Sequence, residues 1–259
     1  MSLSISYGGN PGFPNLVEHI SGALSRSPNL QSLDVAFSKM NTMDPLVYVD
    51  LATLLPHQVT VEPALKLKHL DLCPFEQFVY PSPACITSLS NLVSLRMRED
   101  LNGSDLYRDF WKAMTKHQVR LQVLETEPVL QEMVDYLESY SGLRELIINW
   151  WYLRDYRVDG YDKKLAKHNT LLDNLFCSAL PKHQETLRSI TNGCSIQIDR
   201  MDPGPWCLNE ARFDSLLLCT RLEQLVLVVY SQRPRMHDLY PVVPIVSLFL
   251  VDSFQEAVC

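Results

Sequence analysis

The fold is decided by the six-residue stretch Leu67-Lys68-His69-Leu70-Asp71-Leu72, whose pattern is apolar-x-x-apolar-x-apolar. The same pattern recurs at residues 30–35 (LQSLDV), 92–97 (LVSLRM), 143–148 (LRELII) and 222–227 (LEQLVL). A motif of this form is the strand segment of a leucine-rich repeat, in which the apolar residues point into the core. We call it the strand motif, and it predicts parallel strands that lie side by side, backed by helices or loops.

Weaker copies extend the series towards both ends of the chain. Leu3 and Ile5 match the end of a first motif, 121–126 has Thr126 in the last apolar position, 187–190 is degenerate, and 245–250 is a last copy. The middle apolar residues fall at 3, 33, 70, 95, 124, 146, 190, 225 and 248. Regular leucine-rich repeats keep a period of about 20–29 residues. The sequence therefore predicts an irregular leucine-rich-repeat solenoid of the α/β class, a curved parallel sheet with helices and loops on its convex side.

An alternating order of strands and helices also fits a doubly wound α/β domain. In that fold the strands are covered on both faces and read as continuous apolar runs. The x positions of the strand motif are mostly polar, which favours a solenoid with one open face. We expect a single domain over residues 1–259, because repeats stack into one continuous core.

Between the strand motifs, apolar residues at helical spacing predict the backing helices, as in residues 16–24. Two irregularities are expected. The longest insertion runs over residues 149–169, and Asn192-Gly193, a dipeptide that favours two-residue turns, predicts a hairpin.

The residues between the apolar positions are predicted to face the open, concave surface. Alignment of the motifs places Asp34, Asp71, Arg96 and Glu125 in one row across neighbouring strands, with Arg98 and Glu127 in the next row. Opposite charges on lateral neighbours stabilise a sheet by a few tenths of a kcal/mol per pair, about 0.2–1. The row is therefore predicted to be a self-paired charged ladder, and a ligand site is the alternative.

The C-terminal rows differ, because Val226, Val228, Phe249 and Val251 make the same face apolar. An exposed apolar patch needs a cover. We expect the C-terminal tail or a missing cap to provide it, and a binding groove is the alternative.

Candidate partner-binding residues lie in two loops that are rich in aromatic and arginine side chains, residue types that dominate interface hot spots. The candidates are Trp150, Trp151, Tyr152, Arg154, Tyr156, Arg157 and Tyr161 in the first loop and Arg233 and Arg235 in the second. The alternative is that these aromatics pack on the solenoid edge and hold a long loop in place.

Composition and charge exclude several classes of function. The chain is 46% hydrophobic and 20% charged, with a formal charge of -7, which disfavours a dominant surface for nucleic acid or anionic membrane. The longest apolar run, 242–251, is about half of what a bilayer requires. Seven cysteines without C-x-x-C spacing, and no visible secretory signal, predict reduced thiols in the cytoplasm or nucleus.

The sequence contains none of the common catalytic or nucleotide-binding motifs, and we expect a non-enzyme without cofactor or metal. His69 and Cys73 flank one strand, but no third ligand has metal-site spacing. An α/β hydrolase-like enzyme is the alternative from another class.

The strand motifs at 30–33, 67–72 and 143–146, with the helix ends Leu-Leu-Pro-His57 and Ala-Leu-Pro-Lys-His183, resemble the repeat regions of fungal F-box proteins. This resemblance covers most of the chain. It implies the substrate-recognition arm of a cullin-RING ubiquitin ligase, whose N-terminal F-box docks the adaptor subunit. No F-box pattern occurs here, and the first motif lacks its opening apolar residue. We therefore expect a fragment without its N-terminal cap or F-box.

The predicted function is a non-enzymatic protein–protein interaction module. Its partner is a protein, and the cullin-ligase adaptor binds only if the missing F-box is supplied. A repeat scaffold that acts as an inhibitor or assembly factor is the alternative within the same class.

Overall fold

The computed structural model describes residues 1–8, 14–38, 49–55, 65–72, 79–97, 104–127, 129–150, 161–194, 210–228 and 245–249. The chain divides into two compact units, Met1–Tyr140 and Ser141–Cys259. Both units are α/β, and each contains a mostly parallel sheet with helices between its strands. The single domain over residues 1–259 stays a prediction.

The first unit alternates strands with helical segments. Its strands are β1 (Ser2–Gly8), β2 (Ser32–Ser38), β3 (Val49–Asp50), β4 (His69–Leu72), β5 (Val79–Tyr80), β6 (Ser94–Met97) and β7 (Val123–Thr126). Its helices are α1 (Pro14–Ser25), α2 (Leu51–Leu54), α3 (Ser104–Lys116) and α4 (Gln131–Glu138), with a 3₁₀ segment at Pro83–Leu89. Strands β1, β2, β4, β6 and β7 form a sheet in that order and in parallel, and β3 pairs with β5 separately.

The second unit contains β8 (Glu145–Trp150), β9 (Ser189–Cys194), β10 (Gln224–Val228) and β11 (Ile245–Phe249). Its helices are α5 (Tyr161–Asn174) and α6 (Glu210–Leu217). Helix α5 continues into a π-turn at Leu175–Ala179 and a 3₁₀ turn at Leu180–His183, with Pro181 in the first positions of the 3₁₀ turn, where a missing N–H costs little. Strands β8, β9 and β10 are parallel, whereas β11 is antiparallel to β10.

Copies of the strand motif make the same backbone contact with the copies that precede them in the sheet. The two x residues after the first leucine both donate their N–H to one carbonyl of the preceding motif. Lys68 and His69 donate to the Gln31 carbonyl at 2.8 and 2.9 Å. The same contact is made on the carbonyls of Met1, Lys68 and Val93 in the first unit and of Arg144 and Arg188 in the second. We call it the shared carbonyl, since one oxygen uses both of its lone pairs.

The leucines of the strand motif fix where this contact forms. Leu30, Leu67, Leu121, Leu143 and Leu187, the first apolar residues of their motifs, are all 0% exposed. Burial of one such side chain contributes about 1.5–3 kcal/mol. A register slip of one residue would turn these side chains to the solvent face. The predicted side-by-side parallel strands are thus confirmed within each unit up to β10.

The last copy of the motif is an exception, because β11 runs antiparallel to β10 and pairs Leu225 with Leu248. An apolar residue at every second position has the same pattern in both strand directions. The sequence pattern therefore identified the strand and left its direction open.

Two predictions about the second unit were wrong. Asn192 and Gly193 do not form a hairpin turn, because they lie inside β9 and pair with Ile148 and Asn149 of β8. The neighbouring strand offers these residues a full ladder of hydrogen bonds, which outweighs a local turn preference. The insertion predicted for 149–169 is shorter than expected, since α5 begins at Tyr161.

Two tyrosines hold the segment that enters β7. The Tyr136 hydroxyl donates to the Val119 carbonyl at 2.9 Å and accepts from the Leu121 N–H at 3.2 Å. The Tyr140 hydroxyl donates to the Leu121 carbonyl at 3.1 Å. The Tyr136 ring also packs 5.4 Å from the ring of Trp111 on α3. These contacts connect α3, α4 and the strand motif of β7 into one core.

No helix among the described residues is both long enough and apolar enough to cross a lipid bilayer.

We expect Tyr136→Phe to lower the free energy of unfolding by about 1–3 kcal/mol, because it leaves a buried N–H and a buried carbonyl without their hydroxyl partner. Tyr140→Phe leaves only one backbone group, the Leu121 carbonyl, without its hydroxyl partner and should cost less. Urea unfolding at unchanged m-value measures both. Equal losses in the two variants would contradict this account.

The stability of Tyr136→Phe should also depend on pH differently from that of the unsubstituted protein. Burial raises the pKa of the Tyr136 hydroxyl, so the folded state favours the neutral phenol. This contribution to stability is full below the ordinary tyrosine pKa of about 10 and falls as the pH rises above it. The loss of stability above about pH 10 should therefore be shallower in Tyr136→Phe than in the unsubstituted protein.

Gly142→Ala should destabilise the second unit by about 1–3 kcal/mol through backbone strain alone. Gly142 has a φ of +122°, and an added Cβ would meet nothing within 4 Å. Gly22→Ala is the matched control. Gly22 lies inside α1, where its Cβ would meet only Arg26 Nη1 at 3.6 Å, and the substitution should stabilise by about 0.5–1 kcal/mol. Thermal unfolding measures both, and effects of the same sign would refute the argument.

Candidate functional site

One row of polar side chains crosses the sheet of the first unit on the face opposite its buried leucines. The register pairs Ser4 with Asp34, Asp34 with Asp71, Asp71 with Arg96, and Arg96 with Glu125. The row of Asp34, Asp71, Arg96 and Glu125 predicted from the sequence is confirmed, and Ser4 extends it to β1. We call these five residues the charged row and the sheet face that carries them the open face.

Contacts join Ser4 to Asp34 and Arg96 to both of its neighbours, whereas Asp34 and Asp71 are two carboxylates that lie side by side. Ser4 Oγ donates to Asp34 Oδ2 at 3.0 Å. The Arg96 guanidinium lies between two carboxylates, with Nη1 3.8 Å from Asp71 Oδ2 and Nε 3.5 Å from Glu125 Oε2. The predicted charge pairing is therefore confirmed at Arg96. Arg98 of the next row lies outside the described residues.

Burial differs sharply along the charged row. The Arg96 side chain is 47% exposed and that of Glu125 is 8% exposed. A carboxylate with so little access to water requires a charged or hydrogen-bonded neighbour, whereas the exposed guanidinium retains most of its hydration. Arg96 therefore stabilises the fold by neutralising the charge of Glu125, and part of its guanidinium remains accessible to solvent.

The charged row carries three carboxylates and one guanidinium. The half-buried carboxylates of Asp34 and Asp71 can accept hydrogen bonds and pair with cationic side chains, and the exposed Arg96 guanidinium can donate hydrogen bonds. The chemistry that this row supports is polar recognition.

Two described cysteines and one described histidine outside the row are buried in structural environments. Burial raises the pKa of the Cys85 thiol, which donates to the Ser82 carbonyl at 3.0 Å, and burial also raises the pKa of Cys219 to about 11. Thiols of this kind are poor nucleophiles, because the thiolate is the reactive form. His183 is buried, and its Nδ1 accepts the Leu143 N–H at 3.2 Å.

Metal ions in proteins are held by clusters of His, Cys, Asp and Glu side chains. No cluster of three or more such side chains able to hold an ion occurs among the residues that the structure describes. His69 lies in β4 with an exposed side chain. Cys73, its suggested partner, lies outside the described residues.

The candidate partner-binding residues fall almost entirely outside the described part of the chain. Trp150 is the last residue of β8, where it pairs with Cys194, and Tyr161 is the first residue of α5. The remaining candidates, Trp151, Tyr152, Arg154, Tyr156, Arg157, Arg233 and Arg235, lie in ranges that the structure leaves undescribed. Their role in binding or in packing stays a prediction.

The apolar patch predicted at the C-terminal end of the chain is altered by the direction of β11. In the antiparallel register Val226 lies opposite Ser247, and Phe249 lies opposite Gln224. Directly opposed residues share a face of the sheet, so Val226, Val228 and Phe249 keep the predicted common face, with Ile245 opposite Val228 and the polar Gln224 and Ser247 between them. Val251 lies outside the described residues.

Sequence analysis missed the side chains that connect helices to strand motifs. Arg212 on α6 is 3% exposed, and its Nε lies 2.7 Å from Asp173 Oδ1 on α5. His183, assigned to a helix end from sequence, connects that end to the motif of β8. No pattern in the sequence distinguished these two side chains from ordinary surface residues.

Arg96→Gln should lower the free energy of unfolding by about 1 kcal/mol at pH 7, because it removes the cation beside the nearly buried Glu125. Lys112→Gln is the control, since Lys112 and Asp109 are 63% and 70% exposed, 3.1 Å apart. It should change stability by less than about 0.5 kcal/mol. Equal losses of stability in the two variants, measured by urea unfolding, would show that Arg96 stabilises the fold no more than an exposed ion pair does.

Comparison of the chain with protein-family models, with curated proteins and with solved structures finds no match. The resemblance to fungal F-box proteins rests on the strand motifs and the helix ends of the sequence. It stays a prediction, and the functional argument rests on the geometry of the described residues.

Proposed function

We propose that the chain is a leucine-rich-repeat protein that binds a protein partner on its open face and has no enzymatic activity. The observation that supports this most directly is the repeated shared carbonyl, which brings successive strand motifs into identical register. Identical register stacks one side chain per strand into rows, and such rows are how repeat proteins build extended recognition surfaces.

The character of the open face agrees with recognition of a polar partner. Ser4 and Arg96 are exposed, Asp34 and Asp71 are half-buried, and carboxylates outnumber guanidinium groups in the row. A partner with basic or hydrogen-bond-donating side chains would be electrostatically complementary to it. Because the row is already paired internally, such charges would favour selectivity and orientation more than raw affinity.

The more specific part of the proposal is the role implied by the resemblance. The chain would act as the substrate-recognition arm of an F-box-type ubiquitin-ligase subunit in the cytoplasm or nucleus, with the adaptor bound through an F-box supplied from elsewhere. A repeat scaffold that inhibits or assembles other proteins would use the same surface. The identity of the captured partner distinguishes these two roles.

The test is quantitative affinity capture with charge-reversed variants. Asp34→Lys reverses a charge on the open face and places the new cation beside Asp71, so it creates no like-charge neighbour. Glu18→Lys makes the same charge change at an exposed position of α1. We expect recovery of specific partners to fall about tenfold with Asp34→Lys and to be unchanged with Glu18→Lys.

Two other outcomes are informative. If both variants recover the same partners in the same amounts, the open face is not the binding surface. A double Trp150→Ala, Trp151→Ala variant then tests the aromatic loop in the same assay. Capture of a cullin adaptor by this chain alone would contradict the requirement for a separate F-box.

A further inference from the structure

A buried histidine holds the start of the strand motif of β8. His183 ends the 3₁₀ turn Leu180–His183 and is 1% exposed. Its Nδ1 accepts the N–H of Leu143 at 3.2 Å. Leu143 is the first apolar residue of that motif and is 0% exposed. A titratable nitrogen is therefore the acceptor for a buried backbone donor.

A second contact from the same segment holds the carbonyl of Leu143. Thr186 Oγ1 donates to that carbonyl at 2.8 Å. The His183 carbonyl in turn accepts the N–H groups of Thr186 and Leu187, both at 2.8 Å, which fixes the segment that carries the two side chains. We call the contacts of His183 and Thr186 with Leu143 the latch. It holds both backbone polar groups of Leu143 by side chains that are distant in the sequence.

The latch lies next to the shared carbonyl that joins β8 to β9. Arg144 directly follows Leu143, and its carbonyl accepts the N–H groups of Arg188 and Ser189 at 2.8 and 3.1 Å. The placement of Leu143 therefore determines where this carbonyl lies. Release of the latch would weaken the pairing of β8 with β9 at these two hydrogen bonds.

The latch requires a neutral imidazole. A neutral imidazole has one nitrogen that accepts and one that donates, whereas a protonated imidazole donates from both. Nδ1 of His183 must accept, because it faces the N–H of Leu143. Protonation would set two donors against each other in a site with almost no access to water, and it would leave the buried N–H without its acceptor. The folded state therefore favours the neutral form.

The described charged groups around His183 do not offset this loss. The 3₁₀ turn packs against the π-turn Leu175–Ala179, whose sequence has no charged residue, and against α6. The acidic residues beside the turn, on α6 and on β8 are exposed or half-buried, and they are Glu185, Glu210, Asp214 and Glu145. Hydrated carboxylates of this kind stabilise a buried cation only weakly. The basic residues of the same elements are Lys182 and Arg144, which are exposed, and Arg212, which is buried and bound to Asp173. A nearby positive charge disfavours a second one.

We propose that protonation of His183 opens the latch and loosens the pairing of β8 with β9 in mildly acidic solution. Because the folded state favours the neutral imidazole, the contribution of the latch to stability is full above the ordinary histidine pKa of about 6.5. That contribution is lost as the pH falls below this value. The switch is independent of the partner proposed for the open face.

Amide hydrogen exchange of the whole chain tests the latch. The informative N–H groups are those of Leu143, Arg188 and Ser189, and protection factors divide out the direct effect of pH on exchange chemistry. We expect these protection factors to fall about tenfold from about pH 7.5 to about pH 5.5, the change that one proton bound on opening produces.

Two substitutions separate titration from packing. His183→Asn places an amide oxygen near the position of Nδ1 and binds no proton in this pH range, so the tenfold fall should disappear. Thr186→Val removes the half of the latch that does not titrate. It should lower protection by a similar factor at both pH values and leave the tenfold fall in place.

A fall of equal size in His183→Asn and in the unsubstituted protein would overturn the proposal, because other groups would then cause the acid sensitivity. Protection that does not change with pH in the unsubstituted protein would overturn it as well.

Should His183→Asn fail to fold, as judged by circular dichroism, nitrogen-15 NMR of the imidazole in the unsubstituted protein decides the question. We expect Nδ1 without hydrogen at about pH 7.5, and loss of amide protection over the pH range in which Nδ1 gains its hydrogen. A hydrogen on Nδ1 at about pH 7.5 contradicts the latch.

Discussion

Two N–H groups that converge on one carbonyl of the preceding motif hold neighbouring strands in register in both units. The contact accompanies the leucine at the start of each motif, which is buried in every complete motif except that of β10, where Leu222 is half-buried, because that side chain fixes which residues reach the carbonyl. A polar residue at that position would be buried without a partner and would cost more than a single hydrogen bond returns. The apolar pattern in the sequence and the hydrogen-bond geometry of the backbone therefore express the same constraint.

The same constraint produces the open face. Once Leu33, Leu70, Leu95 and Leu124 are buried side by side, the residues that follow them form a row on the other face, whatever their chemistry. In the first unit that row is Ser4, Asp34, Asp71, Arg96 and Glu125. Function in such an architecture resides in side chains that the fold positions but does not require, which is why we place recognition there.

Much of this arrangement could be predicted from the sequence. The strand motif identified each strand of the two main sheets, and alignment of the motifs gave the neighbours of Arg96 before any distance was known. The predictions that failed did so for physical reasons that the structure identifies. Asn192-Gly193 carries a local turn preference, but its neighbouring strand decides its conformation. The apolar stripe of α6 gave no indication that Arg212 would be buried against Asp173.

Alternation of apolar and polar residues is a local property, so the sequence by itself determined which segments form the main strands, which of their apolar residues are buried and which residues share a row. The direction of a strand, the partner of a buried hydroxyl and the exposure of a charge are relations between segments distant in the chain. Only the tertiary structure decided that β11 runs antiparallel, that Tyr136 holds Val119 and Leu121, and that Glu125 is nearly buried beside an exposed Arg96. These depend on which surfaces meet in three dimensions, and a periodic pattern along one chain does not contain that information.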